Sequence, residues 1–351
     1  MYRRGLEDLE TLHLAEAYHG ESETTPVMAK IGKGCPHITA LKTSLYMNDA
    51  ALNNFADHNL RVLHLTRANI TTDYLASRLR GPVMATLEEL VLGENYHYFL
   101  GNSFSSDDVL YAIAANCHHM RKVALPFGVG ATGAGLAELA DKCPMLSSLR
   151  LAFKLGGLTD EGVSQLAVGA FPSLIEAEVA IQTDGDDLWG YEVFWDGLTH
   201  CGVDQLVASF SNVQALILVN NAGSGWDMGS TINSCPQLES LELRGLYLNN
   251  EHLASIALPS LSKLRIDGET NDEDNHFVTD AGVRAIVTAY AGSLTRLAVC
   301  NLNGLTDEHV RAIGESCSSL QSLEIRQFLN YSCTDLGLVY ISKGCLALRS
   351  I

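Results

Sequence analysis

Hydrophobic positions along the chain switch between two periods. Short stretches place an apolar residue at every second position. Longer ones place it at every third and fourth, and then the cycle restarts. In CPMLSSLRLAFKLGGLTDEGVSQLA, which begins at Cys143, the alternation puts Leu149 and Leu151 on one face of a strand and Arg150 on the other. Further on, Val163, Leu166 and Ala167 fall at i, i+3 and i+4, the spacing of one helix face. Between them Thr159 has the chemistry of an N-cap, and Asp160 and Glu161 suit the positive end of a helix dipole. The pattern predicts a strand, a loop and a helix, in that order.

The same plan recurs in CPQLESLELRGLYLNNEHLASIA from Cys235, GSLTRLAVCNLNGLTDEHVRAIG from Gly292 and CSSLQSLEIRQFLNYSCTDLGLVYIS from Cys317. Weaker strand patterns begin at Leu9, Ile38, Leu60, Leu87, Met120, Leu174, Val213 and Leu261, and a last one, LRSI, at Leu348. That makes thirteen starts, spaced 22 to 39 residues apart and mostly 25 to 29. Several helices end on a cation and a glycine, as in Lys33-Gly34 and Lys343-Gly344, with Lys142 alone in another, which predicts a left-handed residue beyond the helix. Cys35, Cys117, Cys143, Cys235, Cys317 and Cys345 share the repeat-start position, where a small apolar thiol fills one internal slot per repeat.

Taken together, these motifs resemble the leucine-rich repeat family, in its cysteine-containing subtype, over essentially the whole chain. Relatives of that subtype include the repeat domains of F-box proteins, which select substrates for cullin-type ubiquitin ligases; the plant auxin and jasmonate receptors are among them. The resemblance implies an α/β fold: a right-handed horseshoe solenoid of about 13 repeats over residues 1–351, its parallel sheet on the concave face and its helices on the convex face. With strands about 4.8 Å apart, twelve steps give an inner arc of roughly 55–60 Å. No F-box-like helical segment precedes Leu9, and the far end stops one strand into a repeat, at CLALRSI, without a clear polar cap. An adaptor-binding module is therefore expected outside this chain, and only the recognition role carries over.

Charge narrows the partners. Acids outnumber bases 41 to 23, for a net charge of −18, which repels nucleic acid and anionic lipid and favours a basic partner. No apolar run is long enough for a membrane span, and no signal-peptide pattern opens the chain. Nine cysteines, an odd number, suit reduced thiols in a cytoplasmic or nuclear protein.

Candidate chemistry dissolves on inspection. GVGATG, Gly128 to Gly133, fits a dinucleotide fingerprint, but it occupies the repeat's own strand-to-helix loop, and Ala152, Phe153 and Lys154 stand where the ribose-binding acid belongs. His118 and His119 are adjacent and point apart, and no C-x-x-C pair occurs. The acidic runs Asp184-Asp186-Asp187 and Asp272-Glu273-Asp274 lack calcium-loop spacing. Cys300 is expected just past a strand as an exposed thiol without a base beside it. The chain is expected to be no enzyme and to need no cofactor.

Surface remains. The residue between the paired apolar positions of each strand faces the inner curve: His13, Lys42, His64, Val91, Ala124 and Arg150, then Glu178, Ile217, Glu242, Arg265, Ala298 and Glu324. Insertions at 93–104, 182–197 and 267–277 fall between strand and helix, along one rim. The first carries Tyr96, Tyr98 and Phe99, and the second Trp189, Tyr191, Phe194 and Trp195. These aromatics either reach for a partner or pack back on their own solenoid. The expected function is a protein–protein interaction scaffold of the F-box substrate-recognition type, binding through Arg150, Glu178, Ile217, Glu242, Arg265, Glu324 and the two aromatic loops. The alternatives are a structural subunit with buried ends, or an acidic horseshoe that inhibits a basic partner.

Overall fold

The computed structural model describes residues 8–14, 21–93, 106–125, 131–154, 158–182, 200–220, 228–244, 249–268, 278, 280–302, 306–326 and 334–350. They form two compact units, one up to Leu174 and one from Ile175 onward. In the first unit six strands, β1 (Thr11–Leu14), β2 (Ala40–Asn48), β3 (Val62–Asn69), β4 (Glu89–Leu92), β5 (Lys122–Ala124) and β6 (Ser148–Lys154), alternate with six helices. These helices are α1 (Glu21–Gly34), α2 (Asp49–Leu52), α3 (Thr72–Leu79), α4 (Ser106–Asn116), α5 (Gly133–Lys142) and α6 (Asp160–Val163). The second unit repeats the plan. Its strands are β7 (Glu176–Gln182), β8 (Ala215–Asn220), β9 (Ser240–Arg244), β10 (Lys263–Asp267), β11 (Arg296–Cys300) and β12 (Ser322–Arg326). Its helices are α7 (His200–Ala208), α8 (Met228–Asn233), α9 (Asn250–Ser255), α10 (Asp280–Ala289), α11 (Asp307–Ser316) and α12 (Asp335–Gly344).

Within each unit the strands lie in chain order and every neighbouring pair is parallel. This is an α/β solenoid, as the sequence pattern implies. The register has no offset at the repeat's leucines: Leu41 lies beside Leu63, then Leu90, Val123 and Leu149. In the second unit the row runs from Leu216 through Leu241, Leu264 and Leu297 to Leu323. All of these are buried, each contributing about 1.5–3 kcal/mol of apolar burial. The last expected start, LRSI, is present as a parallel bridge between Ser322 and Ser350.

The repeat-start cysteines are buried, between 0 and 4% exposed. Cys143, Cys317 and Cys345 are the C-cap residues of α5, α11 and α12. Cys117 Sγ lies 3.3 Å from the Met84 carbonyl, Cys143 Sγ 3.5 Å from that of Cys117, and Cys345 Sγ 3.9 Å from that of Ile313. Each thiol thus donates weakly to a backbone carbonyl of the preceding repeat. Burial pushes the Cys117 and Cys317 thiols up to about 12, and those of Cys143 and Cys235 to about 11. The expected left-handed glycine is corrected here. Gly34 and Gly344 close helices α1 and α12 from inside, and the one glycine with positive φ among the described residues is Gly169, at 71°. The cysteine ends the helix instead. Gly344 is needed for a close approach, since a Cβ there would stand 1.6 Å from the Gly314 carbonyl oxygen.

A second link joins neighbouring repeats. Asp107, in the first turn of α4, accepts from the backbone N–H and the hydroxyl of Thr132, both at 2.7 Å. Thr132 is in turn the N-cap of α5. Asp49 holds Thr71, the N-cap of α3, at 2.9 and 2.6 Å, and Asp307 holds Thr334, the N-cap of α12, at 2.8 and 2.6 Å. The same contact explains the glycine three residues after the threonine. A Cβ on Gly135 would sit 2.3 Å from Asp107 Oδ1, and one on Gly337 2.9 Å from Asp307 Oδ1. The aspartate read from sequence as a dipole partner is therefore also a clamp on the next repeat's cap.

Two outcomes follow. Hydrogen bonds from the Thr334 hydroxyl and backbone hold the Asp307 carboxyl below the usual carboxylate range. A depressed folded pKa stabilises above the unfolded value of about 3.9 and loses that contribution as pH falls through the folded value. The protection of α12 amides, corrected for their intrinsic exchange rate, should therefore fall below about pH 4 before that of α11. In Asp307→Ala that protection should already be low at neutral pH, with little further change on acidification. An Asp307→Ala protein with the parent's exchange profile would remove the clamp from this account. In native protein, iodoacetamide at pH 8 should label Cys201, the exposed thiol among the eight described cysteines, and reach the buried ones only in denaturant.

Candidate functional site

Opposite the buried leucine rows, each unit presents one row of side chains in strict register. In the first unit it runs His13, Lys42, His64, Val91, Ala124, Arg150. In the second it runs Glu178, Ile217, Glu242, Arg265, Ala298, Glu324. These are the sheet-face positions read from the sequence. His13 is exposed, Ala124 is buried by its neighbours, and the others are half-buried. Tyr96, Tyr98, Phe99, Trp189, Tyr191, Phe194 and Trp195 lie outside the described residues, as does most of each insertion. Gln182 and Asp267, taken as insertion residues from sequence, are instead the last residues of β7 and β10.

The densest chemistry is centred on Arg265. Its Nε lies 2.9 Å from Glu242 Oε1 on β9, its Nη2 3.2 Å from Asp267 Oδ2 on its own strand, and its Nη1 3.1 Å from Glu324 Oε2 on β12. The last contact crosses a whole strand. Ala298 makes this possible: it separates Arg265 from Glu324 in the row, and its methyl group leaves the arginine a path over β11. Arg244 Nε stands 2.7 Å from Glu242 and Arg326 Nε 2.6 Å from Glu324, so both outer carboxylates carry a second cation. Asn301 completes the arrangement by donating from Nδ2 to Asp267 Oδ1 at 2.6 Å. It adopts φ 53°, a left-handed conformation that asparagine tolerates better than most side chains.

Cys300 belongs to this cluster and corrects the expectation of an exposed thiol. It is the last residue of β11 and only 1% exposed. Burial pushes its thiol above the ordinary cysteine value while Arg265 pulls it down. Its burial disfavours the reactive thiolate, so it serves as a floor to the network.

Sequence alignment of the repeats found Glu242, Arg265 and Glu324 and missed Arg244, Asp267, Arg326 and Asn301. The first three of these lie two residues further along the same strands, on the same face. Strand period alone places them there. Asn301, past the strand end, had no such signal.

The first unit's row has a different character. His64 Nε2 contacts Glu89 Oε2 at 2.8 Å. Burial lowers the His64 pKa, and Lys42 and Lys122 lower it further against the pull of Glu89. His118 and His119 are both exposed, and no helix among the described residues is long and apolar enough to cross a membrane.

Compared with solved structures, the chain is similar to the leucine-rich repeat-containing protein LegL7 from Legionella pneumophila, at 14% identity and a TM-score of 0.45, over 79% of this chain and 86% of that chain. It is also similar to a chain of the Rad7 and Elc1 complex in yeast, at 12% identity and a TM-score of 0.41, over 95% of this chain and 88% of that chain. No family model and no curated protein matches the chain.

A double-mutant cycle on Arg265→Ala and Glu324→Ala should show a coupling of about 0.5–1 kcal/mol in urea unfolding, the usual size for a partly exposed pair. In an Ala298→Leu background the coupling should vanish, because the branched side chain blocks the path. Coupling that survives Ala298→Leu would show that the arginine takes another route.

Proposed function

We propose that the chain is a non-catalytic recognition scaffold that holds a protein partner against the outward face of its sheet. It would act as the substrate-selecting part of a ubiquitin ligase, with the F-box or equivalent adaptor module supplied by sequence outside this chain. The observation that carries this is the fixed charge pattern on the second unit's row. Arg265 is tied to three carboxylates drawn from three strands, beside the half-buried apolar Ile217. Arginine is a favoured hot-spot residue, and side chains already ordered before binding lose little entropy on contact. The face offers shape, an apolar step and oriented charge without a nucleophile and base beside each other. The aromatic loops at 93–104 and 182–197 supply further partner-binding residues on this proposal, and a cytoplasmic or nuclear setting fits the cysteine usage.

A second role, as a subunit packed into a larger assembly, is favoured by the apolar surface of α12, where Leu336, Leu338 and Val339 are 50, 57 and 40% exposed. A monodisperse monomer in sedimentation at micromolar concentration would argue against it.

A photo-crosslinking amino acid at Ile217, in the full chain expressed in cells, should capture one dominant partner. The same group at Arg284, exposed on α10, should not. The Ile217→Glu variant should lose about tenfold or more in affinity at an unchanged melting temperature. In cells lacking the chain, the captured partner should accumulate and lose its ubiquitin conjugates. Capture from Arg284 alone would move the binding site off the sheet. An unchanged partner level in the depleted cells would refute the ubiquitin-ligase role while leaving the scaffold role standing.

A further inference from the structure

In the first unit, the row around His64 carries positive charge that its own carboxylate does not meet. Lys42 lies beside His64 in register, His64 beside Val91, and Val91 beside Ala124. Lys122 is two residues before Ala124 on the same face of β5, directly beside Glu89. Glu89 is nonetheless committed to His64, at 2.8 Å. Among the described residues no carboxylate lies within ion-pair distance of Lys42 or Lys122. The contrast with the other unit's row is plain: there Arg244, Arg265 and Arg326 each have a carboxylate within 3.2 Å. The chain as a whole carries a net charge of −18, so this cationic spot runs against the overall balance.

We infer that Lys42 and Lys122, set around the apolar floor of Val91 and Ala124, are a docking site for an acidic extended segment of a protein partner. This rests on the proposal that the sheet face binds protein, and it names the chemistry of the part that meets the first unit. The spacing supports a peptide. Lys42 and Lys122 stand three strands apart and two residues out of register, about 16 Å, which about five residues of extended chain span at 3.3 Å each. Carboxylates separated by that interval would reach both lysines while an apolar side chain between them covers Val91 and Ala124. A long polyanion such as nucleic acid would bring its many other charges against the remaining acidic surface and be repelled.

His64 gives the site a built-in reporter. It is flanked by Lys42 on β2, Glu89 on β4 and Lys122 on β5, and both lysines disfavour its protonation. An arriving carboxylate offsets that effect and favours the charged imidazole. Binding should then take up protons, and affinity should rise as pH falls from above the bound-state pKa of His64 to below its free-state value.

The test uses the full chain and two labelled peptides, Glu-Glu-Ile-Glu-Glu-Ile and its uncharged counterpart Gln-Gln-Ile-Gln-Gln-Ile, with a twelve-residue oligothymidylate as the nucleic-acid arm. Fluorescence anisotropy at low salt should show the glutamate peptide bound at least about tenfold more tightly than the glutamine peptide or the oligonucleotide. The double variant Lys42→Gln/Lys122→Gln, checked for an unchanged melting curve, should lose that preference. Arg284→Gln, on the exposed face of α10, should keep it. His64→Gln should bind with a weaker dependence on pH between about 6 and 8 than the parent. Equal binding of the two peptides, no binding of either, tighter binding of the oligonucleotide, or a preference retained in the double lysine variant each overturns the inference. The Ile217 crosslink separates this from the broader proposal. A partner captured there, with unchanged affinity for the lysine variant, refutes the acidic-segment site alone, whereas absence of any sheet-face crosslink refutes the scaffold function.

Discussion

Parallel strands stacked without offset are the constraint on which the other features depend. A single repeat cannot bury its own leucines; Leu63 is buried because Leu41 and Leu90 lie on either side of it in register. A slip of one residue in any strand would turn its leucines outward and its charged residue inward. The chain therefore tolerates extra length only where the register is not set, between the end of a strand and the cap of the following helix. All three insertions recognised in the sequence begin at such places. At α3, α5 and α12 the cap itself is positioned from the previous repeat, through contacts such as Asp107 to Thr132.

Much of this was legible because each position in the repeat has one dominant physical task. Alternation assigned the faces of the strands, and within each unit the six outward positions fall into register as expected. The threonine cap likewise placed the helix starts and LRSI was correctly seen as one more start, but the helical spacing overran at α6, which ends at Val163 and leaves Leu166 and Ala167 beyond the helix. What the sequence concealed were contacts between repeats. Asp107 and Asp307 look like ordinary first-turn acids, and the glycine three residues past each cap looks like a weak helix residue. Only adjacency of the repeats shows that the aspartate occupies the space a Cβ would take. The glycine ending of α12 was misjudged for the same reason: Gly344 answers to Gly314 in the neighbouring helix, while Cys345 terminates its own. Cys300 was misplaced because a strand end and a loop start read alike in sequence.

The network around Arg265 shows how small residues shape a charged face. With a longer side chain at position 298, Arg265 and Glu324 would be held apart, and two separate pairs would form at the flanking positions. Alanine there merges them into one arrangement in which Arg265, Arg244 and Arg326 share Glu242, Asp267 and Glu324. Exposed pairs of this kind contribute little to stability singly. Their larger consequence is conformational. A guanidinium held at three points presents its flat face and free edge in one orientation, whereas a lone arginine would sample many.

The two rows therefore impose different demands on whatever meets them. Near Arg265 the charges are matched from within, so an incoming charged group must displace an existing pair, and the net gain is small. Apolar contact at Ile217 and Ala298, with hydrogen bonds to an already oriented guanidinium, is the more favourable way to use that surface. Around Lys42 and Lys122 no carboxylate among the described residues lies within ion-pair distance, so an arriving carboxylate displaces no existing pair there. Net charge is thus a poor guide to partner chemistry here. The charged residues of the rows are matched by one another in one unit, while in the other Lys42 and Lys122 have no carboxylate within ion-pair distance among the described residues.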